Sequence, residues 1–179
     1  EQINDLVEKA YCDEESKNRE KAKSQWSSVA SVAGANDRVE KIANDITRHF
    51  NERQTELRGK AMIVAMTREN CVGLYNQLVK VNPDWHNQDP NKGKIKVVMT
   101  SSADDSDILK DHKYTKRSLE TIETRFKDPD DELKIVIVCD MWLTGFDVPC
   151  ANTLYVDKPM QGHNLMQAIA RVNRIFIDK

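Results

Sequence analysis

Four short apolar runs set apart by helical spacings constrain this chain more than any other feature. "AMIVAM" (61–66), "IKVVMT" (95–100), "LKIVIVC" (133–139) and "TLYVD" (153–157) have strand length, and the first three are nearly unbroken in their apolarity. Such runs suit strands buried on both faces, as in a parallel sheet. The segments between them carry a helical period. Val72, Tyr75 and Val79 share one face of 67–81, while Leu119, Ile122 and Phe126 mark a helix that ends before Pro129. The stretch "SSADDSD" reads as a loop, and "HNLMQAIARVNRIF" (163–176) as the last helix. Strands alternating with helices predict an α/β domain, its mainly parallel sheet covered by helices on both faces. In such sheets ligands gather beyond the carboxyl ends of the strands.

The sheet domain is expected to span 59–179, with 1–58 a helical connector or extension before it. Residues 1–35 have weak periodicity and close with the small-residue stretch "SSVASVAGAN". Asn36 or Asp37 can then cap a helix in which Val39, Ile42, Ala43, Ile46 and Phe50 follow at helical spacing, and Gly59 is expected to stop it.

Charge is plentiful, at 31% of residues, yet the formal net charge is only −2. The chain as a whole therefore has no bulk attraction for nucleic acid or an anionic membrane, and any nucleic-acid contact must come from a local patch. No apolar run approaches the roughly 18 residues of a membrane span and no secretory leader is visible, so a cytoplasmic location is expected. Cys12, Cys71, Cys139 and Cys150 form no C-x-x-C pair and read as reduced thiols. His49, His86, His112 and His163 lack acidic partners at ligand spacing and read as surface or cap residues, so no metal site is expected. Trp85 and Trp142 have faces on which bases could stack, although Trp142, beside the third strand, fits a core or interface role better. Met160 is expected to pack.

Two segments could carry chemistry. In 163–176, Leu165, Ile169, Val172 and Phe176 fall on one side of the helix, while Gln167, Arg171 and Arg174 fall on the other at i, i+4 and i+7. One amide and two guanidiniums projecting together can grip phosphate through forked hydrogen bonds. The same spacing is also that of the solvated face of an amphipathic helix. After the third strand comes Thr144-Gly145-Phe146-Asp147, closed by Pro149. Gly145 permits close backbone approach and Asp147 is a candidate ribose or metal partner, although alone the stretch is equally a plain turn.

Taken together, "MWLTGFDVP" and "LMQAIARVNR" resemble motifs V and VI of superfamily 2 helicases and translocases. The usual motif VI reads Gln-Arg-x-Gly-Arg-x-x-Arg; here Ala168 and Ala170 replace its first Arg and its Gly. That departure, with "GKAMIVAMTRENCVGLYNQL" in the motif IV region, is similar to the R subunit of type I restriction-modification enzymes. The resemblance implies the second RecA-like lobe, of P-loop-NTPase type, of an ATP-dependent double-stranded DNA translocase. Arg171 and Arg174 would be arginine fingers toward the γ-phosphate, Gln167 would order them, and Gly145 and Asp147 would face the nucleotide. Thr67 and Arg68, with Thr100 and Asp140 as weaker candidates, would touch the DNA backbone. ATP and Mg²⁺ would be the cofactors, held mainly by a first lobe. The partners implied are that lobe and a nuclease domain of the same polypeptide, the specificity and modification subunits, and double-stranded DNA.

The chain contains no G-x-x-x-x-G-K-[ST] phosphate loop. "DEES" (13–16) lacks a preceding strand, and "DDELK" (130–134) reads as solvated charge rather than a nuclease core. Alone, the chain is expected to be inactive. Two alternatives stand beside this reading: a lobe of a repair or RNA helicase of the same superfamily, and a RecA-like scaffold without catalysis.

Overall fold

The computed structural model describes residue 24 and residues 27–143, 145–160 and 162–172; the side chains of residues 164, 171 and 172 fall outside that description. Helix α1 (Asn36–Glu56) leads into strand β1 (Lys60–Ala65) and helix α2 (Arg68–Val81). A 3-10 turn at Pro83–Trp85, strand β2 (Ile95–Val98), the short helix α3 (Asp107–Lys110) and helix α4 (Lys116–Lys127) follow. Strand β3 (Ile135–Val138), strand β4 (Ala151–Asp157) and helix α5 (Gly162–Val172) complete the order. The four strands form one parallel sheet in the order β2-β3-β1-β4.

Side chains alternate across the pleat, so odd and even positions build two cores. Ile63, Val97 and Ile137 pack with Val39, Ala43, Ile46 and Phe50 of α1 and with Leu74 and Leu78 of α2. Met62, Val64, Val136 and Val138 pack with Ile122 and Phe126 of α4 and Ala168 of α5. Both faces are covered, which is why β1, β2 and β3 are buried at every position. The boundary expected at 58 falls between α1 and β1, yet α1 contributes four side chains to the first core. Among the described residues no helix is long and apolar enough to cross a membrane.

Several expectations need correction. Helix α1 ends at Glu56, three residues before Gly59. Gly59 instead leaves room for Asn152, whose Nδ2 would lie 2.0 Å from any Cβ there. The helix also starts without a side-chain cap, after an extended Ala35. Strand β2 stops at Val98, two residues early, and β4 starts at Ala151, two residues before the expected Thr153. Trp85 is no base-stacking platform: it is buried edge-on to Phe50, with ring centres 6.0 Å apart. His112 is buried against Tyr75 rather than on the surface. In "DDELK", Asp131 and Glu132 both pair with the buried Arg125, whose guanidinium also donates to the carbonyls of Pro90, Lys92 and Gly93. Cys71, Cys139 and Cys150 are free buried thiols, and Cys12 lies outside the described residues.

Candidate nucleotide and nucleic-acid site

The parallel sheet delivers all four carboxyl ends to one edge, where Val64 of β1 lies beside Val138 of β3 and Ala65 beside Asp157 of β4. Every described candidate residue sits in the loops beyond that edge or on the helices that follow them.

The loops after β1 and β2 come together through charge. Thr67 caps α2, its Oγ1 accepting the N–H of Asn70 at 3.1 Å. Arg68 donates from Nη1 to the carbonyl of Thr100 at 3.0 Å and pairs with Asp105 Oδ1 at 2.6 Å. Asp105 is 1% exposed in its side chain; Lys113 approaches Oδ2 at 3.3 Å and the N–H of Ser102 donates to the same oxygen at 2.8 Å. The Ser102 N–H first, with Arg68 and Lys113, outweighs burial and holds the carboxyl below the usual carboxylate range. Arg68 is thus a braced cation with 29% of its side chain exposed. Thr100 contributes its carbonyl to the bracing. Asp105 escaped the sequence reading because its partner Arg68 is more than thirty positions away and no local pattern marks the pairing; Lys113 joins only through Asp105.

The loop after β3 is anchored from below and open above. Lys158, just beyond β4, donates to the carbonyl of Cys139 at 3.4 Å and pairs with Asp140. Cys139 Sγ donates to the carbonyl of Met66 at 3.4 Å, tying this loop to the one after β1. Burial pushes the Asp140 carboxyl up, but hydrogen bonds from Lys158 and Cys139 leave it below its ordinary value. Trp142 adopts a left-handed φ of 67°, uncommon for a bulky residue and a store of local strain. Its ring stacks on Phe146, centres 4.1 Å apart and planes 9° apart, and both lie over Phe126. Leu143, Phe146 and Val148 are buried, while Gly145 and Asp147 between them are exposed. Gly145 has φ 70°, and a Cβ there would meet nothing within 4 Å. Backbone conformation rather than crowding therefore requires glycine, and the peptide stays open to a ligand. Thr144 lies outside the described residues.

Helix α5 packs against β4, and its fit departs from the expected wheel. Ala168 is fully buried and Leu165 half-buried, whereas Ile169 is 41% and Met166 64% exposed. The buried face is turned toward Ala168, because a small side chain lets the helix lie close to the sheet. Ile169, which the spacing sets on the apolar side with Leu165, is therefore on the rim. An arginine at position 168, as in the wider motif VI, would be driven into the second core. Gln167 is half-buried, and its Nε2 lies 2.5 Å from Nε2 of His163, one turn earlier. Arg171 lies on the same helix, its side chain outside the described set; Arg174 is outside the described residues altogether. Met160 packs at the margin of the second core, as expected. Among the described residues no cluster of three His, Cys, Asp or Glu side chains could hold a metal ion.

Comparison with known proteins agrees on one relationship. Residues 17–179 match the family described as type I restriction enzyme subunit R domain 3. The endonuclease subunit of type I restriction enzyme HindI from Haemophilus influenzae is 54% identical over 148 residues, 83% of this chain and 14% of that protein. A Methanocaldococcus jannaschii relative named for the MjaIXP system is 42% identical over 179 residues, 99% of this chain and 16% of that protein. The chain thus spans about one-sixth or less of the length of these two relatives.

Proposed function

The chain belongs to the type I restriction enzyme subunit R domain 3 family, and from that premise we propose that it is the second motor lobe of a DNA-translocating R subunit. The observation that carries this reading is the loop after β3. It buries Leu143, Phe146 and Val148 and presents Gly145 and Asp147 at the carboxyl edge of a parallel sheet. The next helix carries a half-buried Gln167.

In this proposal ATP lies between this lobe and a first lobe that holds the phosphate loop and Mg²⁺. Gly145 and Asp147 face the nucleotide, with Asp147 near the ribose. Arg171 and Arg174 reach the γ-phosphate when the lobes close, and stabilise the charge that spreads over its oxygens as it passes to water. Thr67 and the braced Arg68 touch phosphates of one DNA strand, with Thr100 and Asp140 near them. Such contacts position the DNA without reading its sequence. Residues 59–179 form the lobe, and 1–58 are the helical extension that leads into it, with α1 packed on its sheet. The full subunit would act in the cytoplasm with specificity and modification subunits, translocating double-stranded DNA and cutting it with its nuclease domain.

The test is DNA-stimulated ATP hydrolysis by the full-length subunit in its assembled enzyme. Arg174→Ala should lower turnover by about 10³ or more while ATP still binds. Unchanged turnover would place Arg174 on a solvated face and favour a scaffold without catalysis.

A further inference from the structure

Counted along the sequence at about 100° per helical residue, positions 163, 167, 171 and 174 would fall within one stripe about 80° wide; α5 carries the first three. The first member of that stripe, His163, is absent from the motif comparison that singled out the other three. In the structure it is exposed at the start of the helix, and its Nε2 lies 2.5 Å from Nε2 of Gln167. Ala168, the next residue, is fully buried in the second core and fixes the rotation of the helix. The helix therefore has little freedom to turn Gln167 toward or away from the nucleotide side. What remains free is the rotamer of the amide itself.

We infer that His163 is a positioning residue: its ring holds the Gln167 amide in one orientation, toward the nucleotide that Gly145, Asp147 and the two arginines face. This rests on the nucleotide reading of the helix given above. A glutamine side chain has three rotatable bonds and, on an open face, samples several rotamers. A hydrogen bond to a ring one turn away selects among them. A neutral imidazole accepts the amide N–H at Nε2, which leaves Gln167 Oε1 and its second N–H for the ligand. His163 itself stands one turn back from Gln167 and acts through it.

The experiment uses the full-length subunit in its assembled enzyme, with ATP and DNA, and compares His163→Ala, Gln167→Ala, the double variant and His163→Gln. The expected result is a roughly five- to tenfold fall in kcat for His163→Ala, with KM for ATP changed less than twofold. The double variant should be no worse than Gln167→Ala alone, because the ring has no route except through the amide. His163→Gln, able to hydrogen-bond at i, i+4, should recover most of the loss. If Gln167→Ala slows turnover but His163→Ala does not, or if the two penalties multiply, the inference is overturned and the nucleotide reading survives. If Gln167→Ala leaves turnover unchanged, the nucleotide reading of this helix face is overturned, and this inference with it.

Discussion

At the residue scale, two glycines show opposite reasons for the same side chain. Gly145 has open space around it and a left-handed φ of 70°, so its backbone conformation demands it. Gly59 has no such φ, but Asn152 fills the volume a Cβ would need. Asn152 in turn donates to the carbonyl of Arg58 at 3.2 Å, closing the corner between α1 and β1. Gly59→Ala should therefore cost about 1–2 kcal/mol, within the usual range for a steric substitution. Asn152→Ala in the same chain should recover much of it, a non-additivity that urea unfolding of the four variants would measure. "Gly" in the sequence signalled a break after α1, but only the packing of Asn152 showed what the break is for.

At the element scale, the amino ends of the strands carry an unusual burden. Lys60 opens β1 and Lys96 lies within β2, and both side chains are buried. Lys60 donates to the carbonyl of Arg125 at 2.7 Å, one of the last carbonyls of α4, where a cation also suits the helix dipole. Lys96 donates to the carbonyls of Asn87 and Asp89. Burial lowers the pKa of both ammonium groups to about 8, from an ordinary 10.5. Between these values the unfolded chain holds protons that the folded chain has released, so stability should rise as pH climbs through 8. The buried thiols act the other way. Burial raises Cys71, Cys139 and Cys150 above the ordinary 9.0, so past pH 9 the unfolded chain loses protons that the folded chain keeps. Thermal midpoints of the 179-residue chain measured between pH 7.5 and 10 should peak near pH 9. Lys60→Met with Lys96→Met should flatten the rising limb and leave the falling one.

At the scale of the whole molecule, one ion pair ties the start of α1 to the carboxyl edge. Arg38 pairs with Asp157 at the end of β4, and its Nη1 also donates to the carbonyl of Ala33 at 2.8 Å. Beside the pair lies a cavity of about 320 Å³ lined by Val29, Val32, Met66 and Val156 among others. The helical residues 27–33 are thereby held against the edge where the candidate site lies. Arg38→Ala should destabilise the fold by about 1 kcal/mol, since the pair is only partly buried. Hydrogen exchange at 27–33 should quicken more than in β1 or β3, because a local tether is lost and the core is not.

The sequence by itself determined the element order, the parallel sheet buried on both faces and the family resemblance. Those features are local: apolar periodicity, strand length and motif residues close together in the chain. Only the tertiary structure decided that α1 shares the sheet's core, that Arg125 gathers Asp131 and Glu132, and that Asp105 braces Arg68 with Lys113. The rotation of α5 belongs to the same class. Its wheel set Ile169 on the apolar side with Leu165, but the close approach of Ala168 to the second core turned the helix and left Ile169 at the rim. Such arrangements depend on contacts between residues distant in the chain, whose volumes and charges balance only when the strands have been brought side by side.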